Sequence, residues 1–134
     1  MLDFLNEIFT TVATAVRAAH SGVTVTGEYT RKPTKLPAVT LDEIENVAVA
    51  SLEDSSKEER FCGLTYRLQV FSNKTSGKKA EARAIFATAD GVMRNLGFRR
   101  VTYTAIPEIY ESTIYSITAT YEAVVSADGV TYKR

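Results

Sequence analysis

The chain has 134 residues, 16 basic and 16 acidic side chains, and no formal net charge at pH 7. This length predicts one domain, residues 1–134, with a conventional hydrophobic core, and the balanced charge gives no overall field that would attract nucleic acid or an anionic membrane. The single cysteine, Cys62, excludes an intramolecular disulfide, and the absence of a signal peptide or a long apolar run predicts a soluble protein made in a cytoplasm, without a membrane partner.

The first predicted element is an amphipathic helix over residues 2–19, in which apolar side chains recur at steps of three and four. Its apolar stripe comprises Leu5, Ile8, Phe9, Val12, Val16 and Ala19. Gly22 follows at a position where a left-handed residue is favoured. His20, the only histidine, lies at the helix C-terminus, and we interpret it as a partner of the helix dipole or a surface residue.

Three strands are predicted next, over residues 23–29, 38–44 and 62–70. The third alternates most clearly and places Cys62 on its core face, where we interpret the thiol as a small buried hydrophobe. Between the second and third strands, residues 51–60 carry charges of both signs and no apolar period. That segment is predicted to be a mobile surface loop.

The second helix is predicted between Ser76, its candidate N-cap, and Gly97, its candidate C-terminal glycine. Its buried stripe is predicted to comprise Ala82, Ile85, Phe86, Ala89, Met93 and Leu96. Gly91 lowers helix propensity by up to about 1 kcal/mol relative to alanine. We interpret it as a candidate point of close packing against the sheet.

Two further strands, over residues 98–104 and 113–126, follow this helix. A turn at Asp128 and Gly129 is predicted to fold residues 130–133 back as a short final strand. The order of elements is then αβββαββ. Consecutive strands with two packed helices predict an α+β fold, with a largely antiparallel or mixed central sheet of about five strands.

The common types of catalytic site are excluded mainly by the amino-acid composition. One histidine and one cysteine are too few for a zinc site built from those residue types. The nucleophile elbow G-x-S-x-G is missing, and residues 76–79 match a phosphate-binding loop only in part. We therefore expect no enzymatic activity, no cofactor and no metal.

Acidic residues cluster at 42–45 and 53–59, which keeps a small metal-dependent nuclease as the alternative function. The second cluster lies in the predicted mobile loop, which lacks the rigid support that a metal site needs, so a solvated loop is favoured. Basic residues form small groups that could follow a nucleic-acid backbone only if the fold united them, and ordinary solvated surface is favoured. These groups are Arg31, Lys32, Lys35; Lys74, Lys78, Lys79; Arg99, Arg100; and Lys133, Arg134.

Several apolar side chains fall outside the predicted core. Phe61 and Phe71 lie at the two ends of the third strand, and the alternation places their side chains on the sheet face opposite to the predicted core. Ile114 is placed in the same way on the last long strand. Such residues either pack under a helix or form a partner surface, and both interpretations stay open.

Four segments carry a resemblance to a known family: FLNEIFTTVATAV, VTGEYTRKPTKLPAVTLDEIEN, LTYRLQVFSNKTSGKKAEARAIFATADGVMRNLGFRRV and ITATYEAVVSADGVTYKR. Together they cover nearly the whole chain. The most characteristic parts are VFSNKTSGKK at residues 70–79 and LGF at residues 96–98. The chain resembles the tail-completion proteins, or tail terminators, of long-tailed non-contractile bacteriophages.

The resemblance implies a virion structural protein that forms a ring, typically six-fold, on the head-proximal end of the tail tube and joins it to the head-completion connector. The implied partners are further copies of the chain, the tail tube protein and the connector, with at most passive contact with DNA in the ring. The implied location is the head–tail interface of the virion, after assembly in the host cytoplasm. Another neck or tube component of the virion is an alternative.

Ring formation requires each subunit to present two different patches, one of which binds the opposite patch of the next subunit. We expect these patches in the polar segments 31–37, 48–60 and 127–134 and among the unassigned apolar side chains. The candidate interface residues are Arg31, Lys35, Glu45, Glu53, Asp54, Lys57, Phe61, Phe71, Lys78 and Tyr132.

Overall fold

A computed structural model describes residues 3–27, 36–48, 61–74, 76–107, 114–126 and 131–132 of the chain. Its elements are α1 (Leu5–Ala19), β1 (Thr24–Thr26), β2 (Ala38–Ala48), β3 (Phe61–Ser72), α2 (Lys78–Asn95), β4 (Arg99–Pro107), β5 (Tyr115–Ser126) and β6 (Thr131–Tyr132). The predicted order αβββαββ and the α+β class are confirmed, and β6, antiparallel to β5, is the short final strand predicted within residues 130–133. Neither helix of the described ranges is both long and apolar enough to span a membrane.

The strands form one mixed sheet in the order β1-β2-β3-β5-β4. β1 runs parallel to β2, and the other neighbouring strands are antiparallel. β3 and β5 lie at the centre and pair with each other along all twelve of their residues. β6 pairs with Val124 and Val125 of β5, past the residues of β5 that pair with β4.

Both helices pack on the same face of this sheet, called here the helix-side face. The alternating residues of β3 and β5, among them Tyr66 and Tyr121, are fully buried there against the buried stripes of α1 and α2. The predicted stripe of α2 is confirmed, although Leu96 at its end is only partly buried. In α1 the stripe shifts slightly, because Ala13 is buried whereas Ala19 is exposed. The opposite face of the sheet is called here the open face.

The strands differ in length from the sequence prediction, β1 and β2 by the most. β2 continues to Ala48, four residues beyond the predicted end at 44, because it pairs with β3 as far as Cys62. Pairing with a long central strand holds polar residues such as Asn46 in a β conformation that their own propensity does not favour. β1 is Thr24–Thr26, so the predicted positions 23 and 27 are not part of the strand, and the predicted positions 28 and 29 lie outside the described residues. The predicted loop at 51–60 and the turn at Asp128 and Gly129 lie outside the described residues.

The two ends of α2 depend on glycines with positive φ. Gly77, and not Ser76 as predicted, is the N-cap residue, with φ +87° and no side-chain capping bond. At the C-terminus, Gly97 has φ +95°, the Gly97 N–H donates to the carbonyl of Arg94, and the Phe98 N–H donates to that of Met93. This pair of bonds is a Schellman motif, which satisfies the last helical carbonyls.

The prediction of close packing at Gly91 is wrong. A Cβ added to Gly91 would have no neighbouring atom within 4 Å, apart from the backbone of its own helix and the adjacent residues. The residue is also exposed. Gly91 is therefore an ordinary helix-interior glycine, which alanine can replace without a clash.

Two glycine substitutions in α2 should have opposite effects on the free energy of unfolding. Gly97→Ala should lower it by about 1 kcal/mol, because the left-handed conformation at this position is strained for a residue with a Cβ. Gly91→Ala should raise it by up to about 1 kcal/mol through helix propensity. Chemical denaturation of the two variants measures both changes, and a stabilising Gly97→Ala would contradict the assignment of the helix terminus.

Candidate functional site

The histidine and the cysteine both have structural surroundings. His20 Nε2 lies 2.8 Å from Thr88 Oγ1, so it joins the end of α1 to α2, a contact that the sequence did not indicate. Cys62 is fully buried, which confirms its interpretation as a small core residue. Within the described ranges, no group of three or more His, Cys, Asp and Glu side chains is arranged to hold a metal ion.

The acidic residues at 42–45 do not converge on one point. The register places Asp42 opposite Arg67 on the open face and Glu43 opposite Tyr66 on the helix-side face. Asp42 forms a two-point ion pair with Arg67, with its Oδ2 2.7 Å from Nη2 and its Oδ1 3.3 Å from Nε. Both carboxylate oxygens are thus already engaged by a guanidinium. The second acidic cluster, at 53–59, lies outside the described residues.

Two buried tyrosines donate their hydroxyls to carboxylates near the two edges of the sheet. Tyr66 Oη lies 3.2 Å from Glu43 Oε1, and Tyr121 Oη lies 2.6 Å from Asp90 Oδ1. Burial, followed by the neighbouring carboxylate, raises the pKa of both tyrosines far above the ordinary range, so both remain neutral donors. Burial also raises the pKa of Glu43, and the hydrogen bond from Tyr66 only partly opposes that effect.

A cluster of polar and aromatic contacts fixes β4 against α2. Asp90 accepts a second hydrogen bond from Arg100, whose Nη1 lies 3.3 Å from Oδ1. The Arg100 guanidinium carbon lies 5.8 Å from the ring centre of Tyr103 and 6.0 Å from that of Phe86, within range of a cation–π interaction. The Phe86 and Tyr103 rings meet edge to face, 5.1 Å apart. These contacts hold β4 in place although it is an edge strand.

The described chain has two open sheet edges, and both are partly apolar. β4 forms one edge, and β2 forms the other beyond Thr40, where its described pairing with β1 ends. The exposed large apolar side chains of the described residues all lie on these two strands. They are Ile44 at 42% exposure, Val47 at 57%, Val101 at 45% and Tyr103 at 40%. Exposed apolar residues on a free edge mark a surface that can pair with another strand.

Each of these edges also contains a bulge and a run of like charges. In β2 the register shifts at Ile44, between Glu43 and Glu45, and in β4 it shifts at Val101, next to Arg99 and Arg100. A bulge adds one residue to one strand and so breaks the strict alternation of faces. That break explains why the sequence pattern did not single out Ile44 and Val101. One edge is therefore acidic and the other basic.

The structure places five of the candidate interface residues and does not bring them together. Glu45 is exposed on β2 and its Oε2 lies 3.5 Å from Thr65 Oγ1. Phe61 is half-buried at the start of β3, and Tyr132 pairs in register with Val124. Lys78 is half-buried at the start of α2. The remaining candidates, Arg31, Lys35, Glu53, Asp54 and Lys57, lie outside the described residues.

Phe71, the fifth of the placed candidates, packs within the chain. Its side chain is 2% exposed in a small cluster with Ala38 and Ile114, against which Leu36 also packs. Of the two interpretations left open for Phe71, packing within the chain is therefore the one observed, although neither α1 nor α2 is part of its cluster. It offers almost no surface to a partner in this conformation.

A small pocket lies between α1 and the segment that follows α2. It has a volume of about 140 Å³ and is lined by Phe4, Glu7, Ile8, Thr11, Leu96, Phe98 and Val125. Sites for small organic ligands have volumes of roughly 300 Å³ or more. This pocket is therefore too small for such a ligand. Two depressions of the described surface are above this limit, at about 700 Å³ along α1 beside Asn6 and about 360 Å³ beside Asp90 and Arg100.

No protein-family model matches the chain, and no curated protein matches it. The phage-tail function therefore stays a prediction that rests on the quoted sequence segments.

The raised pKa of Glu43 predicts a pH dependence of stability. The carboxyl binds its proton more readily in the folded protein than in the unfolded chain, so protonation on acidification stabilises the fold. Relative to Glu43→Gln, which cannot titrate, the wild type should gain free energy of unfolding as the pH falls through the raised pKa of the folded protein, and the gain should be complete below the ordinary carboxyl pKa. Urea denaturation of both proteins at several pH values measures the difference. A difference that grows as the pH rises would contradict the assignment.

Proposed function

We propose that the chain is a bacteriophage structural protein that assembles as a ring on the head-proximal end of the tail tube. The ring ends tube growth and binds the head-completion connector. The observation that carries this proposal is the resemblance of the four sequence segments to tail-completion proteins. The α+β fold supports it, since two helices on a central sheet are what that resemblance implies.

The most characteristic segments of the resemblance have a structural explanation. Residues 70–79 run from the end of β3 to the start of α2, where Ser72 Oγ donates to Glu81 Oε1 at 2.7 Å. Residues 96–98 form the C-terminal cap of α2, and Phe98 packs edge to face on Tyr66 with ring centres 5.5 Å apart. Both segments therefore fix the ends of α2 on the sheet. Their role in the described structure is to hold α2 against the sheet.

The exposed edges favour a role in assembly. A closed ring needs two different, complementary patches on every subunit. Two features of the described chain support this role: an acidic edge with exposed Ile44 and Val47 lies across the sheet from a basic edge with exposed Val101 and Tyr103. No comparable observation favours the metal-dependent nuclease, because Asp42 is engaged by Arg67.

Deletion of the gene from the phage or prophage that encodes the chain tests the proposal. Induced cells should accumulate filled heads and unjoined tails, many of abnormal length, and should yield at least a hundredfold fewer infectious particles. Electron microscopy and plaque counts measure the two effects, and the wild-type gene supplied in trans should restore the yield. Joined particles of normal tail length from the deletion strain would refute the proposed function.

A further inference from the structure

We infer that copies of this chain join edge to edge, with residues 99–103 of β4 in one copy paired antiparallel to residues 41–45 of β2 in the next copy. The inference rests on the proposed ring function and names the surface that would close the ring. It also places Glu45 of the predicted interface residues in this contact.

The strand directions permit the sheet to continue from one copy to the next. β2, β3, β5 and β4 alternate in direction, so β2 and β4 run opposite to each other. A second copy placed beside β4, with its own β2 adjacent and its faces in the same orientation, forms one more antiparallel pair. Such a contact joins two different edges, which makes it heterologous and able to close into a ring.

The register puts opposite charges at the same height on the two edges. A row is defined here as the residues of successive strands that are paired Cα to Cα. Arg99 pairs with Glu122, which pairs with Thr65, which pairs with Glu45. If the sheet continues without a shift, Arg99 of one copy therefore lies beside Glu45 of the next, and both lie on the open face.

The adjacent row repeats this match on the helix-side face. Arg100 pairs with Tyr121, which pairs with Tyr66, which pairs with Glu43. Within the described residues, neither Glu43 nor Glu45 forms an ion pair, whereas Arg99 is separated from Glu122 by 3.9 Å and its side chain is 58% exposed. Arg100 is already held by the Asp90 carboxylate at 3.3 Å. The exposed Arg99 is therefore the guanidinium available to a carboxylate of the next copy, and Glu45 lies in its row.

The position of β1 limits the contact to these rows. β1 pairs with Ala38, Val39 and Thr40 of β2, and the row of Thr40 is the row of Thr104. Among the described residues, β1 pairs with none of residues 41–45, and the rows of these residues are those of residues 99–103. Gly27, just after β1, lies beside the Leu41 carbonyl, where an added Cβ would be 3.7 Å from the oxygen. The acidic part of the β2 edge from Asp42 to Glu45 thus matches the basic, exposed part of the β4 edge.

The charges select against the wrong pairing. Bulges and charged residues on an edge strand commonly prevent edge-to-edge aggregation. Here each edge has one sign of charge, so two β4 edges repel each other and two β2 edges do the same. Only the unlike pair is attractive, and it also covers the exposed side chains of Ile44, Val101 and Tyr103.

A pair of cysteine variants tests the contact directly. Arg99→Cys protein mixed with Glu45→Cys protein should form a disulfide-linked dimer on oxidation, because opposed residues of an antiparallel pair have Cα atoms roughly 5 Å apart. Both substitutions in one chain should give a ladder of linked species that stops at the ring size. In one copy the two sites are separated by three strand spacings, roughly 14 Å, which is too far for an internal disulfide.

The controls are each cysteine variant alone and the wild type, whose Cys62 is buried. None of the three should form a linked dimer. Linkage in particles assembled in the deletion strain, with the variant genes supplied in trans, supports the inference. Infectious particles without the linkage would overturn it and leave the proposed function standing. A dimer of Arg99→Cys with itself, or its linkage to another virion protein, would also overturn it.

A charge exchange provides a second, independent test. Glu45→Arg and Arg99→Glu should each reduce the yield of infectious particles at least tenfold, and the two together should restore most of it. Arg83→Glu, the same charge change at an exposed site on α2, should leave the yield at the wild-type level. Circular dichroism of the purified variants establishes that they fold. Folded single variants with wild-type yield, or a double variant no better than the singles, would overturn the inference.

Discussion

The structure depends on the burial of one face of the β3–β5 pair beneath two helices. These strands pair along twelve residues, and their helix-side residues from Cys62 to Val70 and from Ile117 to Val125 are almost completely removed from water. Each large apolar side chain buried in this way contributes roughly 1.5 to 3 kcal/mol. Tyr66 and Tyr121 can be buried in this layer because each hydroxyl donates a hydrogen bond to a carboxylate at the edge of the layer. The helix layer therefore also fixes the strands next to the centre.

Coverage of only one face leaves the other face and the edges to be stabilised differently. On the open face, polar groups pair with each other, as in the hydrogen bond of 2.8 Å between Thr40 and Gln69 and in the ion pair between Asp42 and Arg67. The edge strands take part in such pairs too, through Asp42 on β2 and through Thr102 on β4, whose Oγ1 lies 2.7 Å from Thr120 Oγ1. β4 is held from one side by Asp90 and Phe86, yet it exposes Val101 and Tyr103 on an otherwise ordered strand. An ordered, partly apolar edge would lose little conformational entropy on pairing with another strand.

The sequence predicted what depends on local periodicity and missed what depends on pairing. The stripe of α2 and the alternation of β5 were predicted because their apolar residues recur with the period of the element. The extension of β2 to Ala48 was not, since it requires the partner strand β3. The bulges at Ile44 and Val101 shift the alternation of side chains between the two faces by one residue. The sequence pattern therefore did not predict that these two side chains are exposed. Among the interface candidates only Glu45 lies in the proposed contact. Its relation to Arg99 depends on the register of four strands, which the sequence alone does not give.

The central claim is that the β4 edge of one copy covers the β2 edge of the next, and hydrogen exchange of the assembled ring tests it most directly. Backbone amides of residues 41–45 and 99–103 should exchange more slowly in the ring than in the free protein, because the new ladder removes them from water. The amides of α2, which the contact does not cover, should be unchanged. Slower exchange on the helices, with both edge strands unaltered, would contradict the account.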